Sequence, residues 1–225
     1  MKTINSLFVI LLAVATFIGC AKDNYDAPSS ILSGKVTYND AQIGLRSNGV
    51  QLELWQHGYQ LFTKIPVYVA QDGTFSARLF NGDYKLVLLN GNGPWVSSSD
   101  SIDVKVSGAT TVNVPVTPYF NIKQSSFTRP NDSTITATVS LEQVNNSLPL
   151  EAVNLYVGST EIVDENRNIA TAQVPASAIT DVTQPITISL VLPESYRSDS
   201  LLFPRVGVRT AGVAEQIYTL PGQTK

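Results

Sequence analysis

The sequence predicts an all-β chain built as two tandem β-sandwiches. Three observations carry this expectation. Apolar and polar residues alternate with period two in segment after segment, the mark of strands with one buried and one wet face. Tight-turn signals such as Asp72-Gly73 and Asn81-Gly82 separate the alternating runs. Thr, Val, Ser and Asn recur throughout, and Gly and Pro are spread along the chain, which is a strand-and-turn composition.

The chain opens with a segment of another kind. Lys2 precedes an apolar run, Leu7–Ile18, that ends at Cys20, the sole cysteine. A positive start, an apolar core and a small residue at its end describe a secretory signal peptide over residues 1–19. The core is too short for a membrane span, which needs roughly 20 apolar residues, and a polar tract follows at once. Phe17-Ile18-Gly19-Cys20 resembles the lipobox, in which the leader is cut before a cysteine that then carries lipid. The resemblance implies lipidation of Cys20 and attachment to the outer membrane. Several acyl chains anchor stably where one binds reversibly, each buried methylene contributing about 0.8 kcal/mol. With no second cysteine there is no internal disulfide. Residues 20–30 then form a lipidated tether. Lys22-Asp23 and Asp26 resemble the acidic signal that sends Bacteroidota lipoproteins to the outer face of the outer membrane. That implies a location on the cell exterior, with a tether facing the periplasm as the alternative.

Removing residues 1–19 leaves about 205 of the 225 residues, enough for one large or two small domains. Charged residues make up 15%, against roughly 25% in ordinary soluble domains, while hydrophobic residues at 43% suffice for real cores. The formal net charge is −3, and loss of Lys2 with the leader makes it more negative, which argues against nucleic acid as a partner.

The first sandwich is expected over residues 31–118. Val50, Leu52 and Leu54 face one way and Gln51, Glu53 and Trp55 the other. The same alternation runs through 75–79, 84–88, 102–106 and 112–116, and with 32–38 and 65–70 it gives about seven strands. That number supports a sandwich that needs no disulfide. Asp72-Gly73-Thr74-Phe75 and Leu79-Phe80-Asn81-Gly82-Asp83-Tyr84-Lys85-Leu86, after an early Ser33-Gly34-Lys35-Val36-Thr37-Tyr38, resemble the carboxypeptidase-regulatory-like, or transthyretin-like, sandwich. The resemblance implies a fold, and fold alone does not fix function.

Residues 89–100 break the pattern. Trp95 sits in this Gly- and Pro-rich loop with Asn90, Asn92 and Asp100 nearby. An exposed indole there stacks on a sugar ring with those side chains as hydrogen-bond partners. Alternatively, Trp95 folds back to cap the core. Trp55, followed by Gln56-His57-Gly58-Tyr59, is either an exposed platform or packed against the second domain. The candidate glycan contacts are therefore Trp95, Asn92, Asn90, Asp100, Trp55 and Tyr59.

Val116-Thr117-Pro118-Tyr119-Phe120 marks the boundary, with a linker short enough to limit relative motion. The second sandwich, residues 119–225, is expected to be immunoglobulin- or fibronectin-like. Its strands are read at 120–122, 135–141, 153–157, 186–192, 203–208 and 216–220, with a single helical turn at Pro175–Ile179. Val112–Phe120 and Arg205–Gly212, together with the lipobox, resemble a Bacteroidota lipoprotein family of unknown function. Its members are associated with outer-membrane glycan import of the starch-utilisation type. The resemblance implies glycan, importer components and fellow lipoproteins as partners.

Catalytic machinery is sparse. His57 is the only histidine, so a Ser-His-Asp system or a multi-histidine zinc site is hard to build. Carboxylate-pair hydrolysis needs only two acids about 5–9 Å apart, for which Glu53, Asp100 and Asp103 are the candidates. Asp72, Asp83 and Asp164-Glu165 fall at turns, where Asp caps backbone groups. No cofactor or metal is expected. The leading expectation is a non-enzymatic surface lipoprotein, an accessory of glycan capture and import. A fimbrial-type structural or adhesive subunit comes second and a carboxylate hydrolase third.

Overall fold

The computed structural model describes residues 26–58 and 62–224. The leader, Cys20 and Tyr59 lie outside the described residues. No helix among the described residues is long and apolar enough to cross a membrane.

The first domain contains β1 (Ser30–Tyr38), β2 (Ala41–Gln42), β3 (Gln51–Trp55), β4 (Lys64–Tyr68), β5 (Thr74–Leu79), β6 (Gly82–Leu88), β7 (Ser101–Val106), β8 (Ala109–Thr111) and β9 (Val114–Pro115). One sheet is centred on β1, which pairs antiparallel with β2 and β5 and parallel with β8 and β9. The other sheet runs β4-β3-β6-β7, all antiparallel. The strand expected at 112–116 shortens to β9, with β8 just ahead of it, and the two serve different stretches of β1. Gly34 explains the close approach. A Cβ there would run into the Val112 carbonyl and the Phe75 ring.

The second domain contains β10 (Phe120–Asn131), β11 (Thr134–Gln143), β12 (Leu150–Gly158), β13 (Ala170–Pro175), β14 (Ile186–Val191), β15 (Phe203–Thr210) and β16 (Ile217–Tyr218). Sheet β10-β11-β14 faces sheet β13-β12-β15-β16. Alternation sets the inner face: Ile135, Ala137, Val139 and Leu141 of β11 are all buried, as are Ile186, Ile188 and Leu190 of β14. Pro175 ends β13 and caps a single 3-10 turn at Ala176–Ala178, one residue later than the position read for it.

A single hydrophobic cluster runs through both sandwiches, from Leu32, Leu52 and Leu86 to Phe120, Leu155 and Val206. Each such fully buried side chain contributes about 1.5–3 kcal/mol relative to exposure. The junction is polar where it leaves this core. Asn154 and Tyr156 occupy the expected wet face of β12, yet the strand is buried on both sides. Gln216 meets them both, accepting from Asn154 Nδ2 (3.1 Å) and donating to Tyr156 Oη (3.0 Å). Gln216, from the same domain, thus covers the outer side of this sheet.

Arg205 of β15 pins the junction and is 1% exposed. Its Nε donates to Thr219 O (2.8 Å) and its Nη1 to Val163 O (2.9 Å). Its Nη2 reaches across to Leu45 O (2.9 Å) and Gln71 O (2.6 Å) of the first domain. The Tyr218 ring lies under the guanidinium, 4.6 Å from centroid to Cζ. Burial lowers the Arg205 pKa to about 10, so it remains a cation at neutral pH. Beside it, Arg46 of the first domain is ion-paired with Glu215 and lies near Glu165, which in turn pairs with Arg209. An isolated bridge between Gly44 and Tyr218 adds backbone pairing. The two sandwiches are joined by core, backbone and charge together.

Candidate functional site

The residues named from sequence do not converge. Trp95 is 5% exposed and belongs to the core. It is held by an isolated bridge to Pro118 and by the Val96 N–H donating to Thr117 O (2.9 Å). Gly93 packs on its indole so closely that a Cβ would strike the ring. Trp95 therefore caps the first sandwich beside the junction and offers no stacking face. Asn92 spends its side-chain oxygen on the Gln51 N–H (2.6 Å), fixing the loop to β3. Asn90 and Asp100 are exposed, and Asp100 sits in a shallow cleft with Ser97, Ser98 and Asn145.

Trp55 lies at the other end of the domain. Its ring contacts are with Phe62 (centroids 5.0 Å apart), which also stacks on His57 (4.7 Å). These partners belong to the first domain, so Trp55 is not packed against the second through them. Its Nε1 donates to Glu53 Oε2 (3.1 Å). Glu53, expected on a wet face, is 5% exposed, and its other oxygen accepts from Lys64 Nζ (2.5 Å). Cross-strand register explains this, since Trp55 lies opposite Lys64 and both lean over Glu53. Asp103 pairs with Lys85 (2.6 Å) on β6. Two strand spacings separate Glu53 from Asp103, about 10 Å of backbone before the offset along the sheet. Each of the two carboxylates is held by a lysine from a neighbouring strand.

A cleft with the chemistry to hold a ligand lies outside those residues. It begins at Tyr68 on edge strand β4, whose ring is 52% exposed. Across its floor the register of β5, β1 and β8 sets Ser76, Ser33 and Thr111 side by side, with Thr74 opposite Lys35 one step along. This part has a volume of about 570 Å³. Asn48 closes it and also opens a second cleft of about 580 Å³ that crosses to the second domain. There the lining is Ser159, Thr160, Ile162, Arg167 and Asn168.

Local chemistry places these side chains. Asn48 adopts positive φ (58°), a conformation Asn tolerates, with its N–H donating to Val69 O (2.9 Å). On the far side, Asp164 is 2% exposed and accepts from the backbone N–H of Asn166 (2.9 Å) and Arg167 (3.0 Å). That Asp-capped turn fixes Arg167 and Asn168 in the cleft. Gln71 donates to Glu161 O (3.0 Å) across the junction, next to the Arg205 tie. The groove thus joins an exposed ring, a row of hydroxyls, amides and two cations on one rigid floor. Such an arrangement fits a hydroxyl-rich ligand with apolar faces. Its volume lies in the range of small-ligand clefts. Among the described residues no cluster of His, Cys, Asp and Glu has the makings of a metal site. Asp72 and Asp164 use their oxygens on neighbouring backbone N–H groups.

Comparison with known proteins agrees with the two-domain division. Residues 30–117 match the N-terminal domain of a protein family of unknown function, DUF3823, and residues 120–223 match the family's C-terminal domain, DUF3823_C. A DUF3823 protein from Parabacteroides merdae is 34% identical, with a TM-score of 0.81 over 89% of this chain and 100% of its own. The chain belongs to the DUF3823 family. Another DUF3823 protein, from Bacteroides ovatus, is 35% identical, with a TM-score of 0.79 over 86% of this chain and 97% of its own. A Bacteroides uniformis protein named "putative carbohydrate binding protein" shares the fold at 20% identity, with a TM-score of 0.69 over 88% and 99% of the two chains. No match is found among curated proteins. The DUF3823 assignment bears out the expectation of a two-domain family of unknown function, and it indicates no catalytic family. Nothing in the alternating strands signalled Tyr68 as part of a groove, because its partners come from three other strands and the second domain.

Proposed function

We infer that this DUF3823 protein is a non-enzymatic, lipid-anchored surface protein that holds glycan chains for an outer-membrane import system. The observation that carries the reading is the groove running from Tyr68 past Asn48 to Arg167 across a rigid junction. A pyranose presents an apolar C–H face to an aromatic ring while its hydroxyls bond to amides and hydroxyls around it. Two adjoining clefts accommodate an extended polymer better than one closed monosaccharide pocket would. The similar fold of a relative named for carbohydrate binding adds support. Anchoring through Cys20 comes from the lipobox resemblance, and a location on the cell exterior from the resemblance of Lys22-Asp23 and Asp26 to the acidic surface signal.

Affinity electrophoresis against neutral and uronate-containing polysaccharides tests the reading. Tyr68→Ala is expected to abolish retardation by whichever glycan slows the parent. Losing one stacking ring removes about 1 kcal/mol or more of binding, at least a fivefold weakening. Equal mobility of parent and Tyr68→Ala in every gel would sink this reading.

A further inference from the structure

The end of the first domain farthest from the second carries a surface that the groove does not use. Ser30 opens β1 there, where the chain enters from the tether. Its Oγ donates to Asn81 Oδ1 (2.5 Å), and the Gly108 N–H donates to both Ser30 Oγ (3.1 Å) and Asn81 Oδ1 (3.2 Å). The β5–β6 and β7–β8 turns are thereby gathered around the first residue of β1. The β3–β4 loop starts at the same end, with the Gln56 amide packed over Gly82. Junction residues Gly44, Leu45 and Gln71 lie at the other end of β1.

Eight large hydrophobic side chains are exposed among the described residues. Three of them stand at this end: Ile31 (42%), Phe62 (48%) and Phe80 (46%). Tyr68 and Ile162 line the groove, and the remaining three are in the second domain. Trp55 and His57 extend the ring cluster around Phe62. Lys64, Arg78, Lys85 and Lys105 surround these side chains against Glu53, Asp83 and Asp103, so this end has one positive charge in excess on a chain of net charge −3.

We propose that this end is a lipid-facing surface that seats the first domain on the headgroup region of the membrane holding its anchor. The proposal rests on the lipid-anchor reading of Cys20. Ser30 lies ten positions after Cys20, a reach of at most about 35 Å when fully extended. The surface through which the tether enters is therefore the one held nearest the bilayer. Aromatic side chains favour the membrane–water interface, and lysines beside them are drawn to anionic headgroups. Acyl chains then act as one membrane signal and this surface as a second. The groove, on the flank of the domain and across the junction, stays open to solvent in this orientation.

The chain has two tryptophans, and only Trp55 is at this end. The lipidated full-length protein is placed on vesicles of phosphatidylethanolamine and phosphatidylglycerol with plain or brominated acyl chains. Subtracting the emission of Trp55→Phe from that of the parent isolates Trp55 without touching the buried Trp95. Trp55 emission is expected to shift to the blue on plain vesicles and to be largely lost on brominated ones. The surface variant Phe62→Ser/Phe80→Ser is expected to stay bound to vesicles while recovering Trp55 emission. Protein that sediments with vesicles but shows equal Trp55 emission on both kinds would overturn the docking and leave the anchor standing. Sedimentation no better than that of Cys20→Ser would overturn the anchor and the docking with it. Protection of Trp55 from acrylamide by a soluble polysaccharide, and not by vesicles, would also overturn the proposal and reassign these rings to glycan.

Discussion

Replacing Arg205 with Met tests how the two sandwiches are joined. The substitution keeps most of the side-chain volume and removes the charge and all its donors. Thr219 O and Val163 O in the second domain and Leu45 O in the first lose a charged partner, while Gln71 O still accepts the Leu45 N–H (3.0 Å). Leaving three buried carbonyls short of a donor costs about 1–3 kcal/mol each. Loss of the cation over the Tyr218 ring adds roughly 1 kcal/mol. Against this stands the cost of burying a guanidinium, which the fall of its pKa to about 10 places near 3 kcal/mol. The net expectation is a loss of about 3 kcal/mol, which at this chain length lowers the melting temperature by roughly 6–12 °C. Calorimetry on parent, Arg205→Met and Arg205→Lys measures it. Lys keeps the charge but cannot span carbonyls on both domains, so it should fall close to Met. A melt of Arg205→Met within about 1 kcal/mol of the parent would refute the claim that these carbonyls depend on Arg205.

Further outcomes follow from the same geometry. Burial raises the pKa of Tyr218 and of Tyr156 above the ordinary tyrosine value. Because the folded values lie above the unfolded ones, this stabilisation is complete below about pH 10 and is lost as pH rises beyond it. Absorbance at the tyrosinate band during an alkaline titration should therefore show these two rings ionising together with unfolding; early, reversible ionisation of every tyrosine would contradict this. Gly34→Ala should cost at least about 3 kcal/mol, since its Cβ meets the backbone carbonyl of Val112 and the Phe75 ring rather than a flexible side-chain tip. Urea denaturation reads that loss, and near-parent stability would show that β8 and β9 can move away from β1 without cost.

Much of the fold was legible because burial writes itself into period-two alternation. β11 and β14 are examples, with buried and exposed positions alternating along each. Where alternation fades, the reading fades with it. β13 pairs small Ala170 and Ala172 with exposed Thr171 and Gln173, which gives little apolar contrast. The distal half of β10, Lys123–Asn131, is largely exposed and is held in place by the β11 ladder. Elsewhere the alternation is present but its outer face is covered. Glu53 is buried under Lys64 of the neighbouring strand and Trp55, and Asn154 and Tyr156 are buried under Gln216 of their own domain. The site was harder still. Arg205 finds Gln71 and Leu45 across 134 and 160 positions, distances over which local pattern carries no information. Trp95 shows the converse: loop composition left exposure and capping both open, and Gly93, by lacking a side chain, lets the indole turn inward to cap the core.

The central position of β1 has a mechanical consequence. On the proposed anchoring its first residue receives the tether, and the strand then runs the length of the domain toward the junction, bonded on both flanks by β2, β5, β8 and β9. A pull between the tether and a polymer held in the groove would load those ladders in shear. Many hydrogen bonds must then yield together, where a strand peeled from an edge surrenders them one by one. Resistance to such a pull is governed by the unfolding rate rather than by equilibrium stability. The strand nearest the tether is thus the one arranged to bear tension.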